Sequence, residues 1–233
     1  AELITLPECA TSLQKNSFLT NELAKTEDEN YSLQILKEIA KLNSIFILIG
    51  SLPIKVRDKL RNRSILINSS GKIFKHYDKI HMFDAKISKK EKYNESKTYK
   101  AGNKLVTANT PWGKIGLSIC FDLRFPEMYR LISKKDVKFI SVPSAFTKNT
   151  GTKHWIELLK ARAIENFCYI FAPNQTGKNT FKRETFGHSV IISPDGKIIK
   201  IKKSGKGIIF AKINPRQALT LKRKIPTIMK NYS

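Results

Sequence analysis

The 233-residue sequence predicts an α/β fold, in which strands and helices alternate along the chain. Three observations support this class. Short apolar runs recur throughout the sequence, helical patterns separate several of them, and the connections between them are short. Because no repeat, linker or low-complexity block divides the chain, we expect residues 1–233 to form a single domain.

The first half of the chain is expected to supply one helix and several strands. The opening segment LITLP is an apolar run of β type. Residues 33–42 place four apolar side chains on one helical face, namely Leu33, Leu36, Ile39 and Ala40. Strands are then predicted in FILIG from Phe46, in SILIN from Ser64, and in KIFKHYD after the turn at 68–71.

The second half continues the alternation. Apolar residues alternate with small ones in Lys114–Cys120, which predicts a strand, and the fixed φ of Pro126 suits the first position of a helix at Pro126–Ser133. A strand at Lys138–Val142 and a helix at Thr152–Asn166 follow, the helix with Trp155, Leu158, Leu159 and Ala163 facing inward. The late strands are predicted in YIFAP, FGHSVIIS, KIIKI and GIIFAKI, with a turn at Pro194–Gly196.

Cys120 is the first candidate functional residue, because it lies where a predicted strand ends and a helix is about to begin. Ligands of α/β sheets bind beyond the carboxyl ends of strands. A thiol at that place can be activated by the positive end of the following helix and by nearby cations, which stabilise the thiolate. The alternative is structural, since free cysteine often packs as a small buried hydrophobe.

Two charged residues occupy the corresponding place after other strands. Glu8 directly follows the opening apolar run, where a carboxylate is either a helix cap, a surface residue or a functional group. Lys79 falls near the end of the strand that follows the turn at 68–71, ahead of Met82 and Phe83. A lysine in so basic a protein is most often solvated. The three residues together nevertheless favour a catalytic cluster.

The motifs around these residues resemble the nitrilase superfamily, the carbon-nitrogen hydrolases. Glu8 in LPE, Lys79 in YDKIHMFD and Cys120 in SICFDLRFPE resemble the Glu-Lys-Cys triad of that family. Glu95 in NESKTYKAGN resembles its second glutamate, which supports the lysine. The similarity continues through PSAFTKNTGTKHW, LLKARAIEN and FGHSVIISPDGKII, and so covers nearly the whole chain. It is greatest to the amidase branch that acts on deaminated glutathione, followed by ω-amidase.

The resemblance implies a four-layer α-β-β-α sandwich of two sheets, usually dimerised through helices. It also exposes a departure at the N-terminus. Members of the family normally begin with another strand and helix before the LPE strand, whereas this chain starts almost at that strand. We therefore expect a sandwich that lacks the first strand and helix and exposes apolar sheet surface and unpaired backbone groups.

The resemblance implies a thiol mechanism. Glu8 would take the proton of Cys120 as general base, and the thiolate would attack an amide carbonyl. Lys79 would stabilise the oxyanion together with the backbone N–H of Phe121. Glu95 would hold the lysine in place, although a purely structural pairing is the alternative. Two neighbouring carboxylates should also raise the pKa of one of them toward the operating pH.

Arg124 is the candidate for substrate recognition, because its guanidinium can hold a carboxylate bidentately close to Cys120. The alternative is a salt bridge to Glu127 or Asp122. Phe146 and Thr147 can line the pocket, or they can simply pack. We expect hydrolysis of the terminal amide of a small carboxylate-bearing substrate, first deaminated glutathione, to acid and ammonia through a cysteine thioester. The alternatives are an ω-amidase acting on α-ketoglutaramate and an inactive relative that serves as an interaction module.

The net charge of +24 suits polyanion binding in principle. The lysines are scattered, and the dense runs 86–92 and 222–224 lack interleaved aromatic residues, so we expect no specific nucleic-acid partner and retain a polyanion-binding protein as an alternative. The three cysteines, an odd number without CxxC spacing, favour a reducing cytoplasm. No apolar run is long enough to cross a membrane. The histidines His76, His81, His154 and His188 have no metal-ligand spacing, and we expect no metal and no cofactor.

Overall fold

The structure, a computed structural model, describes residues 1–11, 13–14, 17–89, 91–178 and 183–227. Its helices are α1 (Ser17–Leu23), α2 (Tyr31–Leu42), α3 (Pro126–Ser133), α4 (Lys148–Asn166) and α5 (Arg216–Lys224). Its strands are β1 (Leu3–Thr5), β2 (Phe46–Val56), β3 (Lys59–Ile67), β4 (Ile73–Asp78), β5 (Asp84–Lys86), β6 (Lys92–Asn94), β7 (Thr107–Thr110), β8 (Gly113–Leu117), β9 (Phe139–Ser141), β10 (Tyr169–Ala172), β11 (Thr176–Lys178), β12 (Glu184–Phe186), β13 (Ser189–Ile192) and β14 (Ile198–Lys202). Short 3-10 turns cover Glu95–Lys97 and Cys120–Arg124.

Two mixed sheets form the body of the molecule. The first has the order β1-β2-β3-β4, with β1 parallel to β2 and the other pairs antiparallel. The second has the order β14-β13-β10-β9-β8-β7, and its central strands β8, β9 and β10 run parallel. Two further hairpins, β5–β6 and β11–β12, stand apart from the sheets.

Alternate residues of a strand point to opposite faces of its sheet and so pack against different layers of the fold. Phe46 and Leu48 of β2 point into a core shared with the second sheet, whereas Ile47 and Ile49 point the other way and pack under α2. On the second sheet, Gly116 leaves room for α3, because a Cβ there would lie 2.3 Å from Cγ2 of Ile132. The result is the predicted sandwich, with helices outside two sheets.

Most predicted elements are confirmed. Helix α3 has the predicted bounds, and α4 begins four residues before the predicted Thr152. In α2, Leu33 and Ala40 are fully buried as predicted, but Ile39 is 39% exposed. The strand predicted to reach Cys120 ends at Leu117, so that Cys120 lies on the turn that follows the strand.

One predicted strand is wrong. The segment GIIFAKI at 207–213 forms no strand, and its Ile208 and Phe210 side chains are 89% and 79% exposed. Its apolar and β-branched residues have high strand propensity, but that propensity is realised only against a neighbouring strand. Among the described residues, β14 ends the second sheet without pairing to this segment. Whether an additional first strand belongs to the fold stays a prediction.

Candidate active site

The predicted residues meet at one place although they follow different strands. Glu8 lies just beyond β1, Lys79 directly follows β4, and Cys120 lies beyond β8. The first two belong to one sheet and the third to the other, so the cluster sits where the two sheets meet. Glu95 reaches the same place from the 3-10 turn after β6.

Lys79 is the centre of a buried charge cluster. Its ammonium donates to Oε1 of Glu8 at 2.9 Å and to Oε1 and Oε2 of Glu95 at 3.0 and 2.8 Å. The lysine side chain is 2% exposed, and those of Glu8 and Glu95 are 6% and 14% exposed. A buried charge is tolerated only when it is paired and hydrogen-bonded, and here the three groups satisfy one another.

Asn62 joins the two carboxylates and was missed by the sequence analysis. Its side-chain nitrogen donates to Oε1 of Glu8 at 3.0 Å and to Oε1 of Glu95 at 2.9 Å, and its backbone carbonyl accepts the backbone N–H of Lys79. An asparagine inside the strand β3 was the available signal, since asparagine is depleted in strands. The amide thus fixes both carboxylates around the lysine.

Further backbone and side-chain donors anchor the carboxylates. The N–H of Ala145 donates to Oε2 of Glu8 at 2.9 Å, and the side chain of Gln175 donates to the backbone carbonyl of Glu8 at 2.7 Å. The N–H of Phe83 donates to Oε2 of Glu95 at 2.6 Å. Each carboxylate therefore has a fixed orientation toward Lys79.

The protonation states of Glu8 and Lys79 follow from these contacts. Burial would raise the pKa of Glu8, but the charge of Lys79 and the hydrogen bonds from Lys79, Cys120 and Ala145 together hold it below its usual value. Burial would lower the pKa of Lys79, but Glu8 and Glu95 raise it well above its usual value. Both residues are therefore charged at neutral pH, and the raised pKa expected for a carboxyl of the pair is not found at Glu8.

Cys120 occupies a strained backbone position. Its φ of +46° lies in the left-handed region, which costs a residue with a Cβ of order 1 kcal/mol. The N–H of Cys120 is held by the carbonyl of Pro143 at 2.9 Å. This turn places the thiol beside the carboxylate of Glu8, close enough for each group to shift the pKa of the other.

The thiol itself is neutral in this structure. Burial raises the pKa of Cys120, the Glu8 carboxylate raises it further, and the opposing effect of Lys79 is smaller. Lys79 thus acts in the expected direction, but burial and Glu8 outweigh it, so that the resting thiol keeps its proton. The site instead pairs a protonated thiol with an ionised carboxylate, so a proton must pass to Glu8 as the sulfur attacks.

Arg124 makes neither of the salt bridges that were considered for it. Its guanidinium lies 5.9 Å from the ring centre of Phe121 and 5.2 Å from that of Phe146, and Nη1 is 3.2 Å from Nδ1 of His154. Among the described residues, no carboxylate lies within salt-bridge distance of it. Burial lowers its pKa, yet a guanidinium stays charged at neutral pH.

The other predicted pocket residues, Phe121, Phe146 and Thr147, contact other side chains of the protein. Phe121 packs against Phe83, with ring centres 5.0 Å apart, and Phe146 packs against Trp155 at 4.9 Å. The hydroxyl of Thr147 instead bonds that of Thr150 at the start of α4. A pocket role for Phe121 and Phe146 fits their positions beside Arg124, and that of Thr147 stays a prediction.

Neither a metal site nor a membrane span is found in the described part of the chain. No group of three or more histidine, cysteine, aspartate or glutamate side chains among those residues is arranged to hold a metal ion. None of the described helices is both long and apolar enough to cross a bilayer.

Comparison with known proteins decides the family. The family model described as carbon-nitrogen hydrolase matches residues 1–223. The chain belongs to the carbon-nitrogen hydrolases. It is 40% identical to a deaminated glutathione amidase of Dictyostelium discoideum over 96% of this chain and 80% of the relative. The omega-amidase NIT3 of Saccharomyces cerevisiae is 31% identical over 97% of this chain and 79% of its own length.

The fold agrees with this assignment. The carbon-nitrogen hydrolase described here superposes on the crystal structure of the Caenorhabditis elegans NitFhit protein with a TM-score of 0.89 and 35% identity. The match covers 99% of this chain but 57% of that longer protein, so the chain spans a little over half of its length.

Proposed function

We propose that this carbon-nitrogen hydrolase is a cysteine amidase for linear amides that carry a carboxylate, with deaminated glutathione as the first candidate substrate. The observation that carries the proposal is the buried ion pair between Lys79 and Glu8 at 2.9 Å, with the buried Cys120 thiol beside the Glu8 carboxylate. A nucleophile, a base and a cation in one cluster are the groups that acyl transfer requires.

Acylation begins at sulfur. Glu8 accepts the thiol proton as the Cys120 sulfur bonds to the amide carbon, and the carbonyl oxygen becomes an oxyanion. The ammonium of Lys79 and the backbone N–H of Phe121 stabilise that oxyanion. The protonated Glu8 then gives its proton to the leaving amine, the C–N bond breaks, and a thioester remains on Cys120.

Deacylation uses the same groups in reverse. Glu8, again ionised, takes a proton from a water molecule that attacks the thioester carbon. Lys79 stabilises the second oxyanion, and the carboxylic acid leaves as the thiol regains its proton from Glu8. The role of Glu95 is to keep Lys79 charged and fixed, since it accepts two hydrogen bonds from the ammonium.

Arg124 supports the preference for an anionic substrate. Its half-buried charge is flanked by the rings of Phe121 and Phe146 and faces His154, which accepts from it through Nδ1. A carboxylate is a suitable partner for a guanidinium in such an apolar setting, because the paired charges are weakly screened. A 2-oxo acid amide presents a carboxylate of this kind.

The leaving group separates the two candidate substrates. Deaminated glutathione is a 2-oxo acid joined to cysteinylglycine through a secondary amide, so its hydrolysis releases the dipeptide amine. The expected product ammonia therefore applies only to a primary amide such as α-ketoglutaramate. The omega-amidase named among the relatives keeps that second substrate in consideration.

The test measures 2-oxoglutarate, the product common to both substrates. Purified wild-type protein is incubated with deaminated glutathione and with α-ketoglutaramate, and Cys120→Ala is the blank. Cys168→Ala is the matched control, because Cys168 is buried directly before β10. We expect product from deaminated glutathione in the wild type and in the control but not in the blank. Product from α-ketoglutaramate alone would select the ω-amidase. No product from folded protein would favour the interaction module.

A further inference from the structure

Asp122 is a buried charged residue that the proposed mechanism does not use. It lies two residues after Cys120, inside the 3-10 turn Cys120–Arg124, and its side chain is 0% exposed. In the sequence it stands out only as a possible salt-bridge partner of Arg124. A fully buried carboxylate is costly unless several donors satisfy it.

Four hydrogen-bonding contacts satisfy this carboxylate. Oδ2 accepts from the hydroxyl of Tyr77 at 2.7 Å and from the N–H of Ile119 at 2.8 Å. Oδ1 accepts from the N–H of His81 at 3.1 Å and lies 2.8 Å from Nδ1 of the same residue. Since an ionised carboxylate only accepts, Nδ1 of His81 is the nitrogen that carries the proton.

The donors come from both sides of the proposed catalytic pair. Tyr77 and His81 lie two residues before and two residues after Lys79, and Ile119 immediately precedes Cys120. The hydroxyl of Tyr77 also accepts the N–H of Ile80, so the backbone around Lys79 is held at consecutive residues. One carboxylate thus ties the Lys79 segment of the first sheet to the Cys120 turn of the second.

We propose that Asp122 is a positioning residue that fixes Lys79 relative to Cys120. This inference rests on the proposed function. The oxyanion forms on the carbon bonded to sulfur, so the ammonium must lie about 3 Å from an oxygen whose place is set by Cys120. A misplacement of about 1 Å can cost up to ~100-fold in rate.

The test compares Asp122→Asn and Tyr77→Phe with surface controls that carry the same chemical changes. Asp58→Asn and Tyr31→Phe are the controls, because Asp58 and Tyr31 are 77% and 78% exposed. The kcat for deaminated glutathione is divided by the concentration of Cys120 thiols that react with iodoacetamide. We expect kcat per thiol to fall about tenfold in Tyr77→Phe and about 100-fold in Asp122→Asn, with KM within about twofold of wild type. The controls should match the wild type.

The double variant sharpens the test. If both side chains act through the same hydrogen bond, adding Tyr77→Phe to Asp122→Asn lowers kcat per thiol little further, since the effects of coupled residues are not additive. A purely structural role predicts fewer reactive thiols and a lower melting temperature with kcat per thiol unchanged, and that result would overturn the proposal. If Asp122→Asn does not fold, Tyr77→Phe decides alone by the same criterion.

A substrate-free measurement separates failure of this proposal from failure of the proposed function. The rate of Cys120 alkylation by iodoacetamide, located by peptide mapping, depends on the nearby ammonium, because Lys79 favours the thiolate. We expect alkylation to be about tenfold slower in Asp122→Asn than in the wild type. If the wild type hydrolyses no amide, the proposed function fails while this rate still tests the positioning role. An unchanged rate would refute it.

Discussion

Replacement of Lys79 by methionine tests the electrostatic account of the site. Methionine keeps the length of the lysine's aliphatic stem but removes the ammonium that three hydrogen bonds join to Glu8 and Glu95. Because the lysine is 2% exposed, both carboxylates lose a partner that solvent does not replace. Breaking a buried ion pair in this way costs about 3–5 kcal/mol. We expect the free energy of unfolding at pH 7.5 to fall by about that amount.

The loss should depend on pH with a definite sign. In the wild type the folded pKa of Glu8 lies below its usual 4.5, so its contribution to stability is present above pH 4.5 and is lost as the pH falls through the folded pKa. In Lys79→Met, burial acts without the lysine and raises the pKa of Glu8 above 4.5. The variant therefore regains about 1.4 kcal/mol relative to the wild type for each pH unit below that raised pKa.

The assay is urea unfolding followed by circular dichroism at pH 7.5 and pH 5.0, with equal slopes required of both proteins. Lys148→Met is the control, because Lys148 pairs with Glu184 at the surface, and its side chain is 57% exposed. Its unfolding midpoint should match that of the wild type. An equal loss at both pH values in Lys79→Met, or a loss below about 1 kcal/mol at pH 7.5, would refute the assigned charges.

Three further predictions address recognition, acid dependence and assembly. Arg124→Leu should lower kcat/KM about 10- to 100-fold for amides that carry a carboxylate and leave an uncharged aliphatic amide unaffected, whereas equal losses would contradict carboxylate binding. Glu8 must be ionised to act as base, and its pKa lies below the usual glutamate value of 4.5. We therefore expect kcat/KM to stay constant as the pH falls from 7 to 4.5 and to decrease only below pH 4.5. A decrease centred near pH 6.5 would contradict the assignment of Glu8 as the base. Leu131 and Ile164, 50% and 48% exposed on α3 and α4, suit the dimerisation through helices that the family resemblance implies. We expect a dimer mass by light scattering for the wild type and the monomer mass for Leu131→Lys with Ile164→Lys, and equal masses would place any interface elsewhere.

Local patterns in the sequence predicted α2, α3 and α4 well because local physics specifies them, whereas α1 and α5 were not predicted. Pro126 defines the first residue of α3 through its fixed φ, and the spacing of Leu33 and Ala40 defines the buried face of α2. The segment at 207–213 shows the opposite case. Its residues favour a strand, but a strand forms only when it can pair with an adjacent strand. No local sequence pattern shows whether such a partner strand is present.

The proposed catalytic residues were found through motifs, whereas their supports were not. Asn62 donates a hydrogen bond to Glu8, which lies 54 residues away in the chain. Asp122 accepts one from Tyr77, which lies 45 residues away. The supporting roles of Asn62 and Asp122 can be recognised only when the fold brings these distant segments together. Their sequence signal is weak, because a polar residue in an apolar stretch has many explanations.

The charge of the buried cluster explains how one lysine can serve both the resting and the reacting state. Two ionised glutamates and one ammonium give Glu8, Lys79 and Glu95 a net charge of −1. When the proton of Cys120 passes to Glu8, that carboxylate becomes neutral while a negative charge appears on the substrate oxygen. The net charge is unchanged, and the ammonium exchanges one anionic partner for another. Little reorganisation is needed in a largely buried cluster, which is the condition under which fixed charges lower a barrier most.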